Sequence, residues 1–180
     1  MLEHAPKKAL FEAIYSKEGD IIFRFCRARV SGREQALDLT QETFVRLWQT
    51  LMSGKVISNE RAFLFTVAHR LIIDWYRKKK TISLEHVFQG VANVDDEAYD
   101  PSDDNQRVDH ELGADARFAL AKIQELEPVY RDPVYLRFVE GLPPAAVSKI
   151  LKISVNVASV RIHRGIKKLQ QLLHHDPPTI

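Results

Sequence analysis

One cysteine, Cys26, two methionines and seven glycines stand among 180 residues. A lone thiol closes no internal disulfide, so the fold must rest on apolar burial, and a reducing compartment is the expected setting. No apolar run approaches the roughly 20 residues that span a bilayer, which speaks against membrane insertion. The opening Met-Leu-Glu-His-Ala-Pro-Lys-Lys lacks the basic, apolar and small-residue regions of a secretory leader, and a cytoplasmic protein is expected. None of the glycines builds a phosphate-binding loop, the Cys and His residues are not spaced as metal ligands, and no nucleophile motif occurs. The His174-His175 pair could hold a metal weakly but reads better as a frayed helix end. These absences predict a protein that is not an enzyme and uses no cofactor or metal.

The sequence holds 45% hydrophobic and 28% charged residues, enough apolar material for a buried core. The net charge of +2 hides a sharp division. Residues 1–80 carry 15 basic and 9 acidic side chains, residues 81–115 carry 1 and 10, and residues 116–180 carry 10 and 5. Two basic blocks flank an acidic stretch. Basic modules suit a polyanion, because displacing counterions from phosphates drives association; charge alone is equally compatible with solvated basic faces.

The first block reads as helical. Leu10, Ala13 and Ile14 mark one face, interrupted at Gly19-Asp20. Ile21, Phe25 and Ala28 continue it until Ser31-Gly32. Asp38 to Met52 is amphipathic, with Phe44, Leu47, Trp48 and Leu51 on one stripe, and Gly54 ends it. A third pattern starts at Asn59, a good N-cap, and runs through Phe63, Val67, Leu71 and Trp75 into Arg77-Lys78-Lys79-Lys80. Residues 81–113 are acidic, include Pro101 and lose the periodicity, so they predict a linker with a short ordered piece at Ile82-Ser83-Leu84. Helical patterning resumes at Ala114, with Phe118, Ala121, Ile123 and Leu126. The expected architecture is all-α: an N-terminal bundle at 1–80, a flexible acidic linker at 81–113 and a smaller helical module at 114–175.

Leu142 to Leu173 is the most informative segment. Pro143-Pro144 can open a helix, Ala146, Val147, Ile150 and Leu151 are its apolar positions, and Lys152-Ile153-Ser154 makes a turn in which Ile153 plugs the angle. Ser154 is an N-cap for a longer second helix. Short helix, turn and longer helix form a helix-turn-helix unit. On the second helix Ile162, Ile166, Leu169 and Leu173 form an apolar stripe, with Arg161, Arg164 and Lys168 about 100–150° away. In such units the N-terminal turns of the second helix enter the major groove. Asn156 can then pair with adenine, Arg161 with guanine or phosphate, and Ala158 can touch a thymine methyl. A helical hairpin with a basic solvated surface accounts for the same pattern without DNA.

Two further features lie in the first block. Asp38, Gln41, Glu42 and Arg46 stand opposite the Phe44/Leu47/Trp48 stripe, as a solvated face or a partner interface. Arg70 to Lys80 interleaves Trp75 and Tyr76 with cations, a combination that suits unstacked bases and their phosphates; either ring taken alone reads equally as core.

Across residues 8–80 and 114–173 the chain resembles the extracytoplasmic-function (ECF) sigma factors, the two-domain minimal class. Phe25-Cys26-Arg27-Ala28-Arg29 and Asp38 to Trp48 look like that family's polymerase-binding segment. Phe63 to Ala68 and Asp74 to Arg77 are similar to its −10 segment, and Val139 to Leu142 with Ile162-His163-Arg164 to its −35 domain. The resemblance implies that Asp38, Gln41, Glu42 and Arg46 contact the clamp helices of the largest polymerase subunit. It implies that Arg70, Asp74, Trp75, Arg77 and Lys78 bind and melt the −10 element, single-stranded. It implies that Asn156, Ala158, Ser159, Arg161, Arg164 and Lys168 meet duplex at −35. Core RNA polymerase and promoter DNA are then the partners, with room for an anti-sigma factor, and the free chain is expected to be a monomer. The acidic linker is either a solubilising tether or a nucleic-acid mimic on the polymerase's basic RNA path. Arg70, Ser159 and Pro133 depart from residues common in the family, and Pro133 implies a shifted helix start. Two other readings use the same modules: an autonomous helix-turn-helix regulator, and a protein-interaction adaptor that no longer touches DNA.

Overall fold

The computed structural model describes residues 5–88 and 114–175, and among these every regular element is helical. The chain divides into two compact units, one up to Tyr99 and one from Asp100. The acidic stretch from residue 89 to 113, with its linker reading, lies outside the described residues.

The first unit is built from α1 (Ala5–Arg27), α2 (Arg33–Met52) and α3 (Glu60–Phe88). The expected break at Gly19-Asp20 is absent, and α1 runs straight through it. Mid-helix glycine costs only about 1 kcal/mol. Burial of Ile14, Glu18, Ile22 and Phe25 on one continuous face outweighs that. Leu10 and Ala13, expected on the core face, lie exposed beside it. Between α1 and α2 the chain turns at Ser31-Gly32, as the pattern predicted. Ser53 closes α2, and Gly54 takes the left-handed φ of 76° that glycine accepts without strain. Asn59 caps α3 as expected, its Oδ1 accepting from the Ala62 N–H at 2.7 Å.

Large rings fill this core. Phe25 and Phe65 meet edge to face at 4.9 Å, both fully buried beside Ile22, Leu47 and Leu64. Thr40 and Thr43 are buried as well, and each hydroxyl donates back one turn, to the carbonyls of Ala36 and Leu39 at 2.7 Å. Cys26 lies beside Thr40 and solvent has no access to it. Burial pushes its thiol up to about 11, against the lowering pull of a hydrogen bond with Thr40 and of the Arg29 charge, so it is a small apolar filler rather than a nucleophile. Across α1 and α3 a buried carboxylate, Glu18, pairs with Arg61 at 3.2 Å.

The α3 helix does not stop at Lys80. It continues through Ile82-Ser83-Leu84 to Phe88, so the helical body extends past the boundary read from charge. Residues 81–88 contain neither proline nor glycine to break a helix.

In the second unit α4 (Ala114–Glu125) leads to α5 (Pro128–Val134), a turn of π-helix over Tyr135–Val139, α6 (Pro144–Leu151) and α7 (Val155–His175). Pro133 does not shift a helix start: it lies buried inside α5, which opens at Pro128. Lacking an N–H, proline cannot donate to the preceding turn, and the widened turn follows directly, with the Glu140 N–H reaching back five residues to Tyr135 O at 3.2 Å. Gly141, at φ 68°, ends it while the Leu142 N–H bonds Leu136 O at 3.0 Å.

The core of this unit is mainly aliphatic, with Val134, Leu136, Val147, Ile150 and Ala158 buried and Tyr135 the one aromatic side chain buried with them among the described residues. Helix α7 approaches α5 closely because of Gly165. A Cβ there would lie 2.5 Å from Val134 Cγ2 and 3.2 Å from Tyr130 Cβ.

Candidate polymerase and nucleic-acid interfaces

The exposed side of α2 is two adjacent ridges. Leu37, Gln41 and Val45 make one at steps of four, and Asp38, Glu42 and Arg46 make the next. Arg46 Nε donates to Glu42 Oε1 at 2.8 Å, so these two charges are satisfied within the helix. Asp38 and Gln41 are exposed alongside them. Leu37 and Val45 were not among the residues singled out from sequence, though both are substantially exposed. Their spacing of four residues to Gln41 is the sequence signal that marks them. Apolar side chains set in a polar rim are the anatomy of a protein-protein contact. On the opposite side Phe11, Tyr15, Phe44 and Trp48 form a ring cluster joining α1 to α2, with Phe11 and Trp48 5.4 Å apart and Tyr15 and Phe44 4.8 Å apart.

Along α3, Arg70, Asp74 and Arg77 fall at i, i+4 and i+7 on one exposed face, with Lys78 beside them. Asp74 pairs with Arg77 at 3.6 Å, a solvent-exposed contact of small worth. The two rings are held differently. Tyr76 donates its hydroxyl to the Arg29 carbonyl, pinning α3 to the end of α1. Trp75 is half-buried, packs edge to face on Tyr76 at 4.9 Å, and carries Lys79 Nζ 5.5 Å from its ring centre. This face offers a partly exposed indole beside several cations, the components that hold an unstacked base and its phosphates.

The helix-turn-helix of the second unit is formed by α6 and α7. Pro144 occupies the first turn of α6. Lys152 closes that helix in the left-handed region at φ 53°, and the Ile153 N–H bonds Ser148 O at 3.0 Å. Ser154 caps α7, its Oγ accepting from the Val157 N–H at 3.2 Å. Ile162 and Leu169 are buried, with Ile166 and Leu173 half-buried, as the stripe predicted.

One of the DNA-facing assignments on α7 needs correction. Ala158 is fully buried. It sits one helical step of four before Ile162, on the same core stripe, and its methyl cannot reach a base. Lys168 is half-exposed; its ammonium bonds the Glu127 carboxylate, which raises its pKa, and it stands 4.9 Å from the Tyr130 ring centre. Asn156, Ser159 and Arg164 are exposed and Arg161 half-exposed. Ser159 spends its hydroxyl on the Val155 carbonyl at 3.0 Å. Between α5 and α7 lies an open cleft of about 290 Å³ whose walls include Val129, Tyr130, Val157, Val160 and Arg161. Among the described residues no His/Cys/Asp/Glu group suited to a metal occurs, and no helix is long and apolar enough to cross a membrane.

The family model for Sigma-70 region 2 matches residues 14–82, and that for Sigma-70 region 4 matches residues 119–169. The chain is 27% identical over 164 residues to the ECF RNA polymerase sigma factor SigX of Bacillus subtilis, covering 89% of this chain and 82% of that protein. It is 28% identical over 163 residues to SigE of Mycolicibacterium smegmatis, covering 91% and 61%, and 27% over 175 residues to SigL of Mycobacterium tuberculosis, covering 94% and 92%. Its fold is that of two solved structures. One is CnrH in complex with the cytosolic domain of CnrY, with a TM-score of 0.61 at 22% identity over 94% of this chain and 90% of that one. The other is the sigma factor RpoE in complex with the anti-sigma factor NepR from Bartonella quintana, with 0.66 at 20% identity over 92% and 98%.

Proposed function

The chain belongs to the ECF group of the sigma-70 family, factors that direct RNA polymerase to specific promoters and start transcription, and on that premise we propose that its two units divide promoter DNA by strandedness. In this reading the first unit docks on the polymerase clamp through Asp38, Gln41, Glu42 and Arg46, with Leu37 and Val45 as the apolar contacts between them. The same unit holds the opened −10 strand with Arg70, Asp74, Arg77 and Lys78 around Trp75, which supplies a stacking surface. The second unit reads −35 duplex with Asn156, Ser159, Arg161 and Arg164 on the outward side of α7.

The observation that carries this division is the contrast in side chains: an indole beside cations on α3, against a capped helix with an exposed amide and guanidinium on α7. Rings serve exposed bases; edge-reading groups serve a closed duplex. Strand opening is then driven by binding free energy, with no catalytic step, and the chain acts in the cytoplasm as a monomer until it meets core polymerase. An anti-sigma protein is part of the proposal, because RpoE, whose fold this chain shares, is bound by NepR.

Run-off transcription with purified core polymerase tests the reading. Promoter-dependent product should appear only when the chain is added. No such product on any template selected from a random library would end it.

A further inference from the structure

With Ala158 buried, one exposed ridge of α7 carries Asn156, Val160 and Arg164 at steps of four, beside Ser159 and the half-exposed Arg161. Val160 stands on this ridge between two polar neighbours, 41% exposed, at the rim of the cleft walled by Val129 and Tyr130. It has no hydrogen-bonding atom. Pressed against a base edge in the major groove, it would strip water from any amino or carbonyl group it covered and return nothing. Only one base carries an apolar group on that edge, the thymine C5-methyl.

We infer that Val160 selects a thymine in the upstream element, within one or two base steps of an adenine read by Asn156. Side chains four apart on a helix lie about 5–6 Å apart at Cβ, and bases along a strand rise by about 3.4 Å, which sets that spacing. Apolar discrimination at Val160 works by penalty: adenine, guanine or cytosine there leaves an unsatisfied polar edge, whereas thymine gains a contact. This rests on the assignment of α7 to upstream duplex.

The test begins by selecting upstream elements from a random library with holoenzyme made from the full chain and core polymerase. A thymine near an adenine is expected. Each thymine is then replaced by deoxyuridine, which keeps every hydrogen-bonding atom and removes the methyl alone. At the thymine facing Val160, holoenzyme binding should weaken about fourfold, the factor that burying one such group represents. Val160→Ser should abolish that difference, while Arg164→Ala weakens binding and preserves it. Uracil and thymine bound equally throughout, a difference that survives Val160→Ser, or a selected element without thymine would each overturn the inference and leave α7 on the duplex. Failure to select any element would overturn both.

Discussion

In the first unit the exposed cations stand next to rings. Lys79 stands over the Trp75 ring, Arg70, Arg77 and Lys78 are exposed on the same helix, and the core behind them is itself aromatic, with Phe25 on Phe65. In the second unit the cations stand next to valines and one amide, and the core behind them is mainly aliphatic, closed by the bare backbone of Gly165. Both are small helical folds of similar size. The difference teaches that the target is set by what lies between the charges: a ring between cations can stack on a base pulled out of its pair, and a short side chain between cations fits the groove of one still paired.

The two cores should fail in different ways. Arg61→Ala strands the Glu18 carboxylate, only 4% exposed, without its counter-charge; the cost should be about 3 kcal/mol, read by urea unfolding of the first unit's helices. Gly165→Val adds three carbons where even a Cβ would meet Val134 and Tyr130, and should cost about 2–3 kcal/mol by overpacking, seen as loss of the second unit's protection from proteolysis. If Gly165→Val left that unit intact, the close approach of α7 to α5 would not be what shapes it.

Charge is expected to separate free from engaged cations. Arg164→Ala should reduce the salt dependence of holoenzyme binding by about one counterion. Lys168→Ala should leave it unchanged, because that ammonium is already paired with Glu127. The smallest effects are a matched pair of backbone changes. Gly19→Ala has room, its nearest neighbour being the Tyr15 ring at 4.0 Å, and Lys152→Gly relieves a left-handed residue. Each should stabilise its unit by about 0.5–1 kcal/mol, measured as a raised Tm.

Much of this was readable in the chain. The Phe44–Leu51 stripe, the Asn59 and Ser154 caps, the stop at Gly54 and the α6 start at Pro144 all follow from local chemistry. Gly19 misled because a weak local penalty was set against a long buried face whose depth only packing reveals. Ala158 was recoverable: extending the Ile162 stripe back by one step of four lands on it. Lys168 was not, since its partner Glu127 lies 41 residues away. Gly165 gave no local sign, because close approach depends on what the neighbouring helix presents. The charge boundary at residue 80 missed the continuation of α3, since composition changes there and helical backbone does not.

The division by strandedness is tested most directly by transcription on two templates, one a full duplex promoter and the other opened in advance over the −10 region and lacking the upstream element. Trp75→Ala should lower initiation by about tenfold on both, since stacking is worth about 1–3 kcal/mol per base. Arg164→Ala should lower it comparably on the duplex and leave the opened template unchanged. Equal loss from Arg164→Ala on both templates, or no loss from Trp75→Ala on the opened one, would contradict the account.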